Sequence, residues 1–240
     1  LGVKNDYQGL DFFISEKNNY PITELPQEFQ NGYYAFVIGG TYKTKILPPV
    51  KIVEVLKRIN KPVILLGGPD DVERAEEILS LVNRQQSTDN SLQKNSNSQV
   101  QKDSQILRFS DSQIQKDSQV QKDSQIFRFS DSQILNLVGK INLEQSASLV
   151  KNADSVLTND TGLMHIAAAF HKNVVSVWGN TVPELGMYPY LPKEPEKCHI
   201  VECKDVRCRP CSKLGFKECP KKHFRCMMDI DVEKVADSLS

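Results

Sequence analysis

The chain lacks an excess of charge of either sign, and it lacks any long apolar run. Its 240 residues include 30 lysines and arginines and 30 aspartates and glutamates, so no overall field steers it toward nucleic acid. No segment approaches the roughly 20 apolar residues that span a bilayer, and no signal peptide opens the sequence. We therefore expect a cytoplasmic protein without a nucleic-acid partner.

Cysteine is absent from the first 197 residues and then occurs six times within a Cys-rich hook at residues 198–228. The last four cysteines follow the spacing C-x2-C-x7-C-x6-C and are Cys208, Cys211, Cys219 and Cys226. In a reducing compartment clustered thiols favour a metal over disulfides, and C-x2-C is a common half-site for tetrahedral zinc. A structural zinc ion is one prediction for these residues, and free thiols are the alternative.

The hook is also basic. The cationic residues of its part 204–225, where the acidic residues are Asp205 and Glu218, are Lys204, Arg207, Arg209, Lys213, Lys217, Lys221, Lys222 and Arg225. This pattern predicts either a solvated positive surface or contact with anionic lipid headgroups or a phosphorylated partner at the cytoplasmic membrane face. Nucleic acid fits less well, because the segment has few aromatic residues on which bases could stack.

Apolar strands alternate with amphipathic helices from residue 32 onward. The predicted strands lie at 33–38, 61–68, 135–140, 155–159 and 174–179, and the predicted helices at 49–60, 70–82, 142–153, 163–170 and 232–239. Strands that are apolar throughout are typical of a parallel sheet buried on both faces. The fold class is therefore α/β, with a Rossmann-like parallel sheet and helices on both faces. Residues 1–31 contain Pro21 and Pro26 and predict an interdomain linker, and residues 32–240 form the domain.

A low-complexity insertion at residues 84–134 interrupts this alternation. The segment 98–114 returns as 118–134 with only Leu107 replaced by Phe127. Serine and glutamine dominate, so little apolar surface is present to offset the entropy of ordering. We expect a disordered Ser/Gln-rich surface insertion.

The strand at 155–159 runs into a tight turn and a short helix. The backbone N–H groups of Thr161, Gly162 and Leu163 would open that helix and form a site for a phosphate. Asp160 would repel a phosphate, so its carboxylate is expected to cap the helix or to bind a nearby cation or sugar hydroxyl. His165 lies one turn further on. The alternative is that Asp160 or Thr161 is an ordinary N-cap and His165 a core histidine.

Two further strand ends carry candidate ligand residues. The first strand ends in two glycines followed by Thr41 and Lys45, residue types that suit phosphate oxygens although the P-loop pattern is not met. The second strand ends in two glycines followed by Asp70 and Asp71. Either carboxylate is expected to cap the next helix or to accept hydrogen bonds from a ribose.

The segment DTGLMHIAAA at 160–169, followed by WGNTVP at 178–183, resembles the signature of glycosyltransferase family 9, the ADP-heptose:lipopolysaccharide heptosyltransferases. The resemblance implies a GT-B architecture of two Rossmann-type halves. Residues from about 33 onward resemble the second half, which binds the nucleotide-sugar, and residues 1–31 resemble a remnant of the acceptor-binding half.

The resemblance also implies roles for individual residues. Lys45 occupies a K-x-x-P loop whose lysine contacts the donor diphosphate, and Asp160 and His165 would orient the diphosphate or sugar. Asp70 or Asp71 would contact the ribose, and Ile141 would pack on the adenine. Lys45 and Asp160 are therefore the candidate catalytic residues here, and the general base is expected in the first half.

The implied function is metal-independent transfer of a sugar, heptose from ADP-heptose, to a lipopolysaccharide core or related lipid-linked glycan. Peripheral contact with the inner face of the cytoplasmic membrane would accompany it. The half represented here is expected to bind nucleotide without transferring sugar. The alternatives are a non-catalytic nucleotide-sugar-binding module or inactive fragment, and a GT-B epimerase, for which no second carboxylate–histidine set is visible.

Overall fold

The protein forms one parallel sheet in the computed structural model, which describes residues 4–84 and 133–240. Within these residues the strands are β1 (Tyr34–Val37), β2 (Val63–Leu66), β3 (Ile134–Asn136), β4 (Ser155–Asn159), β5 (Asn173–Trp178) and β6 (Cys198–Glu202). Their spatial order is β3-β2-β1-β4-β5-β6, and every neighbouring pair is parallel. This is the strand order of a Rossmann fold, so the predicted fold class is confirmed.

Helices cover both faces of the sheet. They are α1 (Gln27–Gln30), α2 (Pro49–Leu56), α3 (72–84), α4 (Leu143–Asn152), α5 (Gly162–Ala169), α6 (Arg225–Met228) and α7 (Val232–Leu239). Within residues 4–84 and 133–240 no helix is long and apolar enough to cross a membrane.

Alternate strand residues point to two separate cores. In β1, Tyr34 and Phe36 join a cluster with α2, α3 and α7, whereas Ala35 and Val37 join a second cluster with α4 and α5. All four of these side chains are buried. The sheet is therefore apolar on both faces, as the continuous hydrophobic runs predict.

Helix ends follow the local sequence in most places. Asn142 and Gln145 form the predicted capping box of α4, in which each side chain accepts a hydrogen bond from the other residue's backbone N–H. Asp231 caps α7 as predicted. The prediction for α2 was too long, because the helix ends at Leu56 rather than at residue 60. Arg58 there bonds the carbonyl of Val55 in a tighter turn.

The segment before β1 lies against α4. The Glu144 carboxylate accepts hydrogen bonds from the Ser15 N–H at 2.9 Å and the Asn18 amide at 3.0 Å, and from the Ser15 hydroxyl. These bonds lower the pKa of Glu144 from 4.5 to about 2, chiefly through Ser15 and then Asn18. The segment is thus docked on the domain by charge-assisted bonds, and its assignment as an interdomain linker stays a prediction.

The predicted disordered insertion at 84–134 lies outside the described residues except at its two ends. The chain leaves at residue 84, the last described residue of α3, and it returns at residue 133, just before β3. Ile134 pairs with Val63, the first residue of β2, so the return point lies at the amino edge of the sheet. The insertion therefore joins the domain at the edge opposite the carboxyl ends of the strands.

Candidate active site

A cavity of about 500 Å³ opens where the carboxyl ends of β1, β2 and β4 meet. Its size is typical of a site for a small ligand. It lies beside the point where the strand order reverses, between β1 and β4, which is where ligands bind in open parallel sheets. Glycines of the first two strand ends, the start of α4 and the start of α5 line it.

The glycines after β1 and β2 are required by a buried carboxylate. A Cβ at Gly39 would collide with the Asp71 carboxylate, and one at Gly67 would come within 3.0 Å of it. Asp71 is 7% exposed, accepts a hydrogen bond from the Gly68 N–H at 2.9 Å and pairs with Arg74. Its carboxylate therefore takes the capping position that the sequence offered as one alternative.

The ribose contact expected of this acidic pair stays a prediction. Asp71 lines the cavity, whereas Asp70 is exposed and does not.

The start of α5 faces the cavity. Thr161 is the N-cap residue by its backbone, but its side chain makes no capping bond. Thr161, Gly162 and Leu163 all line the cavity, and a Cβ built on Gly162 would meet no atom within 4 Å. The first N–H groups of an α-helix lack the usual partner four residues earlier; here the Met164 N–H donates to the Thr161 carbonyl at 3.1 Å, and the Gly162 and Leu163 N–H groups come before it at the cavity. An open, positively polarised helix end thus forms part of the cavity wall.

Ile141 is half-buried and lines the same cavity, as expected for a residue that contacts a flat apolar group. Leu143 adjoins it at the first turn of α4. His165 is half-buried, and Thr41 is exposed. Neither of these two side chains lines the cavity, so their predicted contacts with a ligand stay predictions.

Lys45 and Asp160 form an ion pair beside the cavity. The Lys45 Nζ lies 2.6 Å from Asp160 Oδ2, and the two side chains are 12% and 5% exposed. The same carboxylate oxygen accepts a hydrogen bond from the Thr181 hydroxyl at 3.0 Å. The Asp160 carboxylate is therefore paired with a cation, one of the roles weighed for it. The N-cap residue of α5 is Thr161, and the Asp160 carboxylate bonds to Lys45 and Thr181 among the described residues.

Asn159 holds the loop after β1 in place, and sequence reasoning assigned it no role. Its side-chain oxygen accepts a hydrogen bond from the Leu47 N–H at 3.0 Å, and its amide donates to the carbonyls of Val37 and Gly39 at 3.3 and 3.1 Å. The residue is 2% exposed. The sequence signal that could have revealed this role is that Asn159 is a polar residue at the end of the strand β4.

The Cys-rich hook is anchored to the site by Arg209, which the sequence placed on a basic surface. That placement is wrong, because the Arg209 side chain is 5% exposed and pairs with Glu202 at 2.8 Å. Its guanidinium also donates to the carbonyls of Cys203, Trp178, Gly179 and Thr181. The desolvation cost of burying a guanidinium is offset only when its N–H donors are satisfied in this way.

A second attachment joins the hook to the lysine loop. The Thr44 hydroxyl accepts from the Phe216 N–H at 2.8 Å, and the Thr44 N–H donates to the Phe216 carbonyl at 3.2 Å. Thr44 is 2% exposed and precedes Lys45. Asn180 lies nearby, and its backbone carbonyl accepts a hydrogen bond from the Cys211 N–H at 3.1 Å. The Asn180 side-chain amide is buried and has no hydrogen-bond partner among the described residues. The hook therefore holds loops on both sides of the ion pair.

The four C-terminal cysteines share one neighbourhood. Cys226 interacts electrostatically with Cys211, Cys219 and Cys208, and burial raises the pKa of its thiol to about 11. All cysteines are free, and the Cys208 sulfur lies 3.6 Å from Nε2 of His223. In the described ranges no three His, Cys, Asp or Glu side chains have converged into a metal-binding group. The donor types suit zinc, whereas their arrangement is not that of a closed site.

These features define the class of the protein, a Rossmann-like α/β domain whose ligand cavity lies at the carboxyl edge of the sheet. Two solved structures share this fold. One is E. coli ADP-heptose lipopolysaccharide heptosyltransferase II, with a TM-score of 0.57 and 19% identity over 95% of this chain and 52% of that chain. The other is a family 9 glycosyltransferase from Veillonella parvula, with a TM-score of 0.54 and 15% identity over 96% of this chain and 52% of that one.

The family model for glycosyltransferase family 9 (heptosyltransferase) matches residues 99–218. The chain belongs to this family. It is 31% identical over 104 residues to lipooligosaccharide heptosyltransferase 2 of Campylobacter jejuni serotype O:2, an alignment that covers 43% of this chain and 30% of the relative. Identity to the enzyme of the same name from Haemophilus influenzae is 40% over 67 residues, or 28% of this chain and 18% of that one. The chain thus spans about half the length of the two solved structures.

Proposed function

We propose that this chain is the donor-binding half of a glycosyltransferase that transfers heptose from ADP-heptose to a lipopolysaccharide core or related lipid-linked glycan at the cytoplasmic membrane face. The name of the sequence relatives, lipooligosaccharide heptosyltransferase 2, supports heptosyl transfer to such a glycan. The name of the E. coli structure, an ADP-heptose lipopolysaccharide heptosyltransferase, supports the donor. The observation that carries the proposal is the cavity, in which the open start of α5 faces glycine-rich strand ends. That combination suits a diphosphate.

The cavity offers a different surface to each part of the donor. Ile141 and Leu143 line the cavity and would supply an apolar wall for the adenine, and the Asp71 carboxylate, which also lines it, would accept hydrogen bonds from the ribose. The N–H groups of Gly162 and Leu163 would donate to the diphosphate. Because Gly162 has no side chain, phosphate oxygens can approach this helix end closely.

Transfer requires that charge on the departing ADP be stabilised. The N–H groups at the start of α5 would face this charge, and a preorganised donor of this kind contributes about 3 kcal/mol. Lys45 does not line the cavity, and its ammonium would reach the diphosphate only by exchanging Asp160 for it as a partner. Thr41 and His165 would add contacts to the diphosphate or sugar. This arrangement needs no metal ion for the chemistry. The general base is proposed to come from an acceptor-binding half, so this chain would bind nucleotide without turnover.

Calorimetric titration with ADP and UDP tests the proposal, and Gly162→Asp is the informative variant. An aspartate there has open space and favours the positive helix end, so folding is retained. Its carboxylate repels a diphosphate, so ADP affinity should fall by more than about tenfold. Val50→Asp is the matched control, since Val50 is 41% exposed in the first turn of α2 and does not line the cavity.

We expect the wild-type chain and Val50→Asp to bind ADP equally and in preference to UDP. Equal ADP affinity in Gly162→Asp and wild type, or no ADP binding by the wild type, would contradict the proposal. Detectable sugar transfer by this chain would overturn the assignment of the base to another half.

We also propose that Cys208, Cys211, Cys219 and Cys226 hold a structural zinc ion. The C-x2-C spacing of the first pair and the thiolate chemistry of all four residues support this assignment. Elemental analysis of the purified chain should give about one zinc per chain, and Cys208→Ser/Cys211→Ser should lose it together with thermal stability. Wild-type protein that is free of metal and equally stable with chelator would refute the assignment.

A further inference from the structure

One loop of the Cys-rich hook presents apolar side chains to solvent between two lysines. This loop, residues 213–217, has the sequence KLGFK. Leu214 is 64% exposed and Phe216 is 37% exposed, and Lys213 and Lys217 on either side are exposed as well. Single exposed apolar residues are common on protein surfaces. Leu214 and Phe216 differ from such isolated residues, because they lie together at the tip of one short loop between two lysines and so form a small amphipathic surface.

The loop is held in this shape by the domain. The Ser212 hydroxyl accepts from the N–H groups of Leu214 and Gly215, both at 3.1 Å. Phe216 is bonded to Thr44 through its backbone N–H and carbonyl. Gly215 has a φ of +125° and lies against Tyr42, where a Cβ would approach the Tyr42 side chain to 2.6 Å. The tip is therefore exposed although its backbone is fixed, and it would lose little conformational entropy on binding.

Positive charge predominates in the part of the hook that carries the tip, although Arg225 pairs with Asp229 at 2.7 Å and Lys204 lies 3.7 Å from Glu202. The exposed cations of segment 204–225 are Lys204, Arg207, Lys213, Lys217, Lys221, Lys222 and Arg225, and its exposed carboxylates are Asp205 and Glu218. Since the whole chain carries no net charge, this is a local concentration of positive charge. Such a surface is complementary to anionic headgroups, whereas the apolar tip is complementary to the boundary between headgroups and acyl chains.

We propose that residues 213–217 form a membrane-docking loop that inserts Leu214 and Phe216 into a bilayer containing anionic lipid, with the hook cations on the headgroups. The proposal rests on the proposed action on a lipid-linked acceptor. The Phe216 backbone is bonded to Thr44, the neighbour of Lys45, so docking brings the Lys45–Asp160 pair close to the membrane surface. The loop thereby directs donor binding to the surface that carries the acceptor.

Vesicle sedimentation of the purified chain tests this loop without any nucleotide. Vesicles contain phosphatidylcholine alone or with about 30% phosphatidylglycerol, an anionic lipid. We expect binding only to the anionic vesicles, weakened by added salt because the headgroup attraction is screened. Leu214→Ser/Phe216→Ser should lower the affinity by at least about tenfold, since the apolar contribution is lost. The matched control is Tyr7→Ser/Phe13→Ser, which removes side chains that are 66% and 85% exposed elsewhere.

A second variant tests the insertion of the loop by fluorescence, so that the test does not depend on the folding of the serine variant. Leu214→Trp should show a blue-shifted emission on binding anionic vesicles, whereas the native Trp178 is fully buried and stays unchanged. The proposal is overturned if wild type does not sediment with anionic vesicles, if the loop variant and the control bind equally, or if the tryptophan emission does not shift. Loss of ADP binding with vesicle binding retained would count against the proposed function alone.

Discussion

The Lys45–Asp160 pair should be strongly coupled in folding, because both side chains are almost buried. Their exposed fractions of 12% and 5% remove most of the solvation of either charge. Removing one partner of a buried pair costs about 3–5 kcal/mol, because the other charge stays buried alone. Replacing both partners by neutral groups of similar shape is close to neutral. We therefore expect Lys45→Met alone to be severely destabilising and Lys45→Met/Asp160→Asn to recover most of the loss.

Urea unfolding of wild type, both single variants and the double variant gives the coupling energy, provided that the m-value is constant. The same cycle on Lys61 and Asp154 is the control, since that pair is 2.9 Å apart but 44% and 40% exposed. Exposed pairs contribute about 0.2–1 kcal/mol. A cost below about 1 kcal/mol for Lys45→Met, or equal coupling energies in the two cycles, would refute the claim that burial makes the Lys45–Asp160 pair strongly coupled.

Three other predictions concern the surroundings of the site. The Glu144 pKa is lowered to about 2, so the ionised carboxylate stabilises the docked segment fully above its ordinary pKa of 4.5, and this stabilisation is lost as the pH falls from 4.5 toward 2. The NMR chemical shift of the Ser15 amide should change over the same pH range, and Glu144→Gln should remove that pH dependence. Thr44→Val should cost about 1–3 kcal/mol, because the Phe216 N–H loses its acceptor while the Phe216 carbonyl keeps the Thr44 N–H. Faster hydrogen exchange at Phe216 checks this, with Thr41→Val at an exposed site as the control. Asn180→Leu should leave the unfolding free energy in urea unchanged or higher, because an unpaired buried amide is replaced; a loss above about 2 kcal/mol would show that the amide has a partner.

Features that depend on neighbours in sequence were predictable. The capping box of Asn142 and Gln145 needs residues three positions apart, and the apolar run of β1 reports burial on both faces whatever it pairs with. The cavity followed from a general rule of parallel sheets, once strand ends and glycines were located.

Features that depend on strand order were not predictable in the same way. The Lys45–Asp160 contact exists because β4 lies beside β1, an adjacency that no local pattern encodes. Arg209 is one of many basic residues in its segment, and only the folded chain shows that carbonyls of Trp178, Gly179 and Thr181 surround it. Burial of a cation therefore depends on tertiary placement rather than on composition.

The place where the repeat-containing insertion joins the domain has a consequence for changes in its length. The chain returns at residue 133, just before Ile134 pairs with the first residue of β2, at the edge of the sheet away from the cavity. The entropy of closing a loop grows only with the logarithm of its length, at about 0.6 kcal/mol for each doubling. Gain or loss of a 20-residue copy between α3 and β3 is then expected to leave the residues that line the cavity in place, because the change in length enters the domain at the other edge of the sheet.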